Sequence, residues 1–581
     1  MPPKAKKPAS AAKKPVSKAK TPVSKAKKRA RDSESESDNL SDAASPSKKP
    51  KKDDDAVDKK KMVTILKRGA APVDPYSNFV DTHQVYEGDG EVWDAMLNQT
   101  DISGTTNSNK FYVIQLLHQG SGNCVLFTRW GRVGEVGANQ IKGPWPAAEA
   151  IFQFKKQFRS KTGTAWEQRH GMTAKKGKYM WLQRTFEQGD DKDDKQASGS
   201  GLPQEREKTP ESTLCPEVQE LCKLIFSTTL LSAHLSSMNY DANKLPLGKL
   251  AKATILKGFA VLKELAEAIE DPNPASYNDR GGFRTICADL SSRYYSIVPH
   301  DFGRVRPPVI DNMILLKKEL EILDALGDME VAQNIISTKT PGNVQNPLDA
   351  HLGSLNLSSI SPVAQGSKEF TTLVEYVQDT HGETHQWYQA HVMDIFRIER
   401  ADEAKAFTEA GYDKLADGER MLLWHGSRTT NYAGILKQGL RIAPPEAPVS
   451  GYMFGKGVYL ADMMSKSANY CHAHLSGGVG LLLLCEAAVR PFHELKNADM
   501  NADQGCKAAT ALATKGLGMT QPVQWQDAGI ALEYPELAGV HMPKGGGRGV
   551  NIGGLNLQYN EYIVYQPSQI RLRYLLMVKM Q

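Results

Sequence analysis

Beyond residue 80 the apolar positions recur with two different periods, and the period changes along the chain. Phe111–Leu117 and Cys124–Thr128 are short apolar runs, which predicts two strands. Gln119–Asn123 between them is turn chemistry. Pro146 then opens a helix, because its missing N–H costs nothing in a first turn. Ile151, Phe154 and Phe158 put one apolar face on that helix. Further on, Ile255, Phe259, Leu262, Ala266 and Ile269 form a stripe over four turns, and Leu316, Leu320 and Leu323 form another. Such stripes predict a helical bundle whose apolar faces are core. The pattern then changes again. Leu481–Cys485, Tyr562–Tyr565 and Tyr574–Val578 are strand-length runs between loops rich in Gly and Pro. The reading is a multidomain α+β protein. A small α+β unit spans 80–185, a polar linker 186–213, an all-α bundle 214–342 and a β-rich α+β domain 343–581.

Residues 1–79 precede these elements and are predicted to be a disordered basic tail, since the first 61 hold almost no large apolar residue. Those 61 residues carry 19 Lys/Arg against 9 Asp/Glu, whereas the whole 581-residue chain is only +6. A near-neutral body with a basic arm points to a polyanionic partner, nucleic acid first. PVSKAK occurs at 15–20 and again at 22–27, a local duplication. Lys27-Lys28-Arg29 and Lys48–Lys52 resemble a nuclear localisation signal, which implies a nuclear protein. Seven Cys with no CxxC spacing do not make a disulfide framework, and Cys471, His472 and His474 lack a second ligand cluster, so no metal is expected. No apolar run is long enough to span a bilayer, and the basic N-terminus has no apolar segment behind it.

The common enzyme fingerprints are missing: no GxGxxG, P-loop, HExxH or GxSxG. Three other segments carry candidate chemistry. They are Leu422-Leu423-Trp424-His425-Gly426-Ser427-Arg428, the run from Gly455 through Tyr459 and Ser467 to Cys471, and Leu557–Tyr565 around Glu561. Taken singly, each has a plain structural account: a satisfied histidine, a core tyrosine, an edge-strand glutamate. Together and in this order they resemble the catalytic domain of the poly(ADP-ribose) polymerases, with His425, Tyr459 and Glu561 on the family's His-Tyr-Glu triad. Upstream, Thr128-Arg129-Trp130-Gly131-Arg132 resembles the signature of the WGR domain, a DNA-end-binding module. Leu245–Leu250 and Tyr294–Phe302 resemble the helical regulatory domain of the same family. The family's long form carries zinc fingers and a BRCT domain that cannot be placed here, so the resemblance is to the short, DNA-dependent form.

The resemblance implies an enzyme that breaks the nicotinamide–ribose bond of NAD and transfers ADP-ribose to itself and to chromatin proteins, elongating the chain. NAD is the substrate, with no metal. Gly426 and Ser467 would hold the nicotinamide amide, and Tyr470 and Tyr459 its ring. His425, Ser427 and Asn431 would meet the adenosine side, and Arg441 the adenine or diphosphate end. Glu561 would stabilise the cationic ribose and polarise the acceptor hydroxyl. Trp130, Arg132 and Tyr179 would contact a DNA break, with a 5′-phosphorylated end expected, and the bundle would act as the brake on the NAD site. Ser33–Ser37 is an exposed candidate for automodification.

Overall fold

A computed structural model describes residues 70–120, 122–185, 210–240, 249–270, 277–337 and 345–581. The two PVSKAK copies, the basic clusters, Ser33–Ser37, most of the linker, Ser121 in the first turn and Leu245–Gly248 lie outside the described residues.

The first unit is an antiparallel sheet of strands β1 (Asp94–Asp101), β2 (Ser108–His118), β3 (Asn123–Arg132), β4 (Ala138–Pro146) and β5 (Met180–Leu182), in the order β4-β3-β2-β1-β5. Helix α1 (Ala147–Thr162) crosses it and buries Ala150, Phe154 and Phe158, while Ile151 is half-buried at the rim. Pro146 belongs to the end of β4, and the helix starts one residue later. Gly163 ends it in the left-handed conformation (φ 69°), its N–H donating to the Arg159 carbonyl, a position a β-carbon would strain. Composition places residues 70–79 in the tail, but Ala71 and Val73 are buried and the Asp74 carboxylate pairs with the buried Arg129 guanidinium at 2.9 Å. The first unit thus begins earlier than its apolar pattern suggests, because Ala71 and Val73 pack on Leu117 and Phe127 of the sheet and Asp74 pairs with Arg129, contacts that lie far off in sequence.

The helical part comprises α2 (Pro216–Ile225), α3 (Thr228–Ser237), α4 (Lys252–Glu270), α5 (Phe283–Ile297) and α6 (Met313–Ser337). Ile255, Phe259, Leu262 and Ala266 on α4 and Leu316, Leu320 and Leu323 on α6 are buried in one cluster. Burying such side chains stabilises by about 1.5–3 kcal/mol each. Polar bonds fasten α5 to the first sheet. The Asn98 amide donates to the Tyr295 carbonyl at 2.8 Å, and Asn109 donates to the His300 carbonyl at 2.8 Å.

Among the described residues the C-terminal part has an eight-stranded sheet and a four-stranded one. The larger contains β6 (Ser359–Pro362), β7 (Ala390–Glu399), β8 (Arg420–Ser427), β9 (Val479–Ala488), β10 (Gly518–Asp527), β11 (Val540–Gly549), β12 (Leu557–Tyr559) and β13 (Ile570–Met580), in the order β6-β7-β13-β9-β8-β11-β10-β12. The smaller sheet pairs Val458–Leu460 with Glu561–Val564, continuing to Ala513–Gly516 and Phe492–Leu495. The central strand β9 is buried on both faces (Leu481–Cys485), which is why it reads as an unbroken apolar run.

Candidate active site

The site forms where the two sheets meet. Strand β8 carries Trp424, His425, Gly426 and Ser427 at its end, and a bridge joins it to the second sheet. The Trp424 N–H donates to the Ala461 carbonyl at 2.8 Å, and Ala461 N–H returns the bond at 2.9 Å. His425 Nδ1 bonds the Tyr459 carbonyl at 3.1 Å. A carbonyl only accepts, so Nδ1 holds the proton and Nε2 is left as an acceptor. Burial lowers the His425 pKa, partly offset by that bond, so the ring is neutral at physiological pH.

Gly426 has no room for a side chain: a β-carbon there would lie 2.0 Å from the Ser467 carbonyl oxygen. Ser467 is buried, and its hydroxyl donates to the Trp424 carbonyl at 3.1 Å, leaving the oxygen lone pairs to accept. Tyr459 is fixed at its tip, donating to the Gly455 carbonyl at 2.9 Å and accepting from the Phe454 N–H at 2.9 Å. Burial raises the pKa of this phenol far beyond the neutral range, so it stays protonated. Tyr470 is 48% exposed, so its ring is open to approach from outside.

The strand of Tyr459 pairs antiparallel with the strand of Glu561, with Tyr459 opposite Ile563 and Leu460 opposite Tyr562. The Glu561 carboxylate is largely buried. One oxygen pairs with Lys466 Nζ at 2.9 Å, and the other has no hydrogen-bond partner among the described residues. Asn431 behaves similarly: its amide donates to Ser427 Oγ at 3.0 Å while its own buried oxygen lacks a partner. Buried polar atoms are normally paired, so the unpaired oxygens of Glu561 and Asn431 are each open to a polar ligand. These features fit NAD. Lys466 was not singled out from sequence, although it lies inside the second motif, because a lone lysine there reads as a solvated residue.

Arg441 does not stand free in the cleft. Its guanidinium pairs with Asp328 of α6, and nearby the Tyr452 hydroxyl faces Asp324 of the same helix at 3.5 Å. Gly434 permits this approach, since a β-carbon there would meet Asp328 Oδ1 at 2.9 Å.

In the first unit Trp130 stacks on Tyr112 (ring centroids 5.7 Å, interplanar angle 13°), and Tyr179 meets the same ring edge-on at 5.8 Å. Arg132 turns the other way. It donates to Asn107 Oδ1 at 2.9 Å, to the Val305 carbonyl at 3.2 Å and to the Gly303 carbonyl, so it clasps the loop that follows α5. Trp130 and Tyr179 therefore share one aromatic cluster, and Arg132 belongs to the contact with the bundle.

Among the described residues no three His, Cys, Asp or Glu side chains gather as metal ligands, and no helix is long and apolar enough to cross a membrane. Residues 367–580 match the poly(ADP-ribose) polymerase catalytic domain, residues 212–352 the regulatory domain of poly(ADP-ribose) polymerase, and residues 93–173 the WGR domain. The chain is 39% identical over 527 residues to poly [ADP-ribose] polymerase 2 of Arabidopsis thaliana, covering 89% of this chain and 78% of the relative. It is 38% identical over 525 residues to poly [ADP-ribose] polymerase 2 of Homo sapiens, covering 89% and 84%. With poly [ADP-ribose] polymerase 1 of Xenopus laevis it shares 38% over 523 residues, 90% of this chain but 49% of the longer relative. The chain belongs to the poly(ADP-ribose) polymerase family, and its activity is NAD-dependent ADP-ribosyl transfer with polymer synthesis.

Proposed function

We propose that this polymerase is switched on by DNA breaks, and that the residues above divide the work as follows. The observation that carries the catalytic reading is Glu561: a buried carboxylate with one oxygen held by Lys466 and the other unpaired, on the strand beside Tyr459. Cleavage of the nicotinamide–ribose bond passes through an oxocarbenium-like state. The free oxygen of Glu561 stabilises that positive charge and then polarises the acceptor ribose hydroxyl. Gly426 offers its main chain to the nicotinamide amide, and Ser467 accepts from it. Tyr459 and Tyr470 wall the ring by offset stacking. His425 Nε2, freed as an acceptor by the bond at Nδ1, takes the hydrogen of an adenosine ribose hydroxyl, with Ser427 and Asn431 beside it.

Arg441 reaches the diphosphate end only after leaving Asp328, so NAD and the docked α6 compete for one guanidinium. That competition makes the helical bundle a brake. Trp130 and Tyr179 meet the DNA end, and the grip of Arg132 on the 303–305 loop carries the event to the bundle. A 5′-phosphorylated end supplies the anion for Lys161, Lys175, Lys176 and Lys178. The acceptors are the protein itself and chromatin proteins, and the site of action is the nucleus.

The test is product formation from labelled NAD with and without a 5′-phosphorylated nicked duplex, resolved by size. A DNA-dependent ladder is expected. DNA-independent output at full rate would overturn the switch. Glu561→Gln is expected to keep NAD binding and lose chain growth, and long polymer from that variant would overturn the role of Glu561.

A further inference from the structure

Behind Glu561 lies a second carboxylate that the reaction as described does not use. Asp462 is fully buried, three residues after Tyr459. Its Oδ2 accepts the Asn560 amide at 2.7 Å and the Tyr562 hydroxyl at 2.9 Å. Those are the two neighbours of Glu561 in sequence, and both are buried to 1% exposure. Successive side chains of a strand point to opposite faces. Residues 560 and 562 therefore face Asp462 while Glu561 points to the opposite side, where it meets Lys466. Asn560 is held from its other end as well, its Oδ1 accepting the Gly518 N–H at 2.9 Å. Lys466 completes the frame: beyond its pairing with Glu561 it donates to the carbonyls of Tyr559 at 3.0 Å and Asn560 at 3.3 Å.

We infer that Asp462 is a positioning residue for Glu561: one buried carboxylate clamps the residues on both sides of the glutamate and so fixes the direction in which it presents its free oxygen. The inference rests on the role given to Glu561 above. Only Oδ2 of Asp462 is bonded, and its Oδ1 is buried with no partner among the described residues, a cost that an apolar pair of similar volume would avoid at a purely structural position. Here the two bonds converge on one oxygen and tie the second motif to the third. Asp462 does not touch substrate. Its effect is on orientation, where a displacement of about 1 Å costs about 10²-fold in rate.

The experiment uses the full chain with activating DNA and measures NAD consumption, KM for NAD and polymer length. It compares wild type, Asp462→Ala, Glu561→Gln and the double variant. Asp462→Ala is expected to lower kcat about 10²-fold with KM for NAD within about two-fold, and to shorten the polymer. In the Glu561→Gln background the same change is expected to cost less than about two-fold, because residues that act through one another are not additive. Asp462→Asn, which keeps one accepting oxygen, recovers part of the loss. Should Asp462→Ala fail to fold by thermal melting, Tyr562→Phe, which deletes one hydroxyl, replaces it in the same cycle. Equal losses in both backgrounds, or a raised KM with kcat preserved, would overturn the inference alone. Full-length polymer from Glu561→Gln by itself would overturn both this inference and the reading beneath it.

Discussion

Gly426 shows how little latitude single atoms have at this site. A β-carbon would fall 2.0 Å from the Ser467 carbonyl oxygen, and that oxygen is main chain and cannot step aside cheaply. Gly426→Ala is therefore expected to destabilise by about 1–3 kcal/mol, the range for overpacking, and to lower the melting temperature along with NAD turnover. A melting temperature unchanged from wild type would contradict this. Tyr459→Phe removes the hydroxyl that bridges Gly455 and Phe454 and leaves the ring. It is expected to cost about 1–2 kcal/mol by denaturant titration and to weaken NAD binding, since the wall is no longer pinned. His425, Tyr459 and Glu561 could be singled out as candidates in sequence because each sits in a contiguous run whose neighbours mark it. Lys466 and Asp462 were not, because their meaning is the distance to Glu561 across about 100 residues, which no local pattern contains. Arg441 could be singled out as a candidate from its sequence context, but its partner Asp328 on another element could not.

At the scale of elements, α6 and α3 hold the bundle to the transferase. Removing the carboxylate that occupies Arg441 is expected to raise DNA-independent turnover: Asp328→Ala should give several-fold more product from NAD without DNA, and no change would refute the competition between α6 and NAD. On α3, His234 is buried with neither ring nitrogen bonded among the described residues. Arg428, His472 and His474 of the transferase face it, and burial with these neighbours pushes its pKa down to about 4. Burial likewise takes His472 to about 4. A histidine depressed below its ordinary 6.5 binds fewer protons when the contact is made, so the contact is whole above that pH and weakens as pH falls from there toward 4. The melting temperature is expected to drop between pH 7 and 5, and His234→Leu to flatten part of that slope. An identical slope in the variant would dismiss His234 as the source. The stripes on α4 and α6 could be read from periodicity, since a helix face needs only spacing. The anchoring of residues 71–74 could not, because it depends on Asp74 finding Arg129 and on Ala71 and Val73 packing against Leu117 and Phe127.

Across the whole molecule, the first unit, the bundle and the transferase share one continuous cluster of buried side chains, from Trp93 through Leu262 and Leu323 to Leu483. Arg132 adds polar bonds from the first unit to the loop after α5. Arg132→Ala is expected to separate two properties: nicked DNA still shifts the protein on a gel, and NAD turnover no longer answers to it. Trp130→Ala should lose both, and the opposite pattern would reassign the two residues. Binding should fall with added salt, as for any contact made largely with phosphate. The shared core has a consequence for how such a protein tolerates change. The brake proposed above is cut from the molecule's own interior, so loosening it loosens the fold. Heat, a cavity beneath α4 or a lost bond at the seam would each push the enzyme toward its working state before pushing it toward denaturation. Across a panel of core substitutions, unprompted polymer synthesis is expected to climb as the melting point declines, which would make excess activity the earliest symptom of damage to this protein.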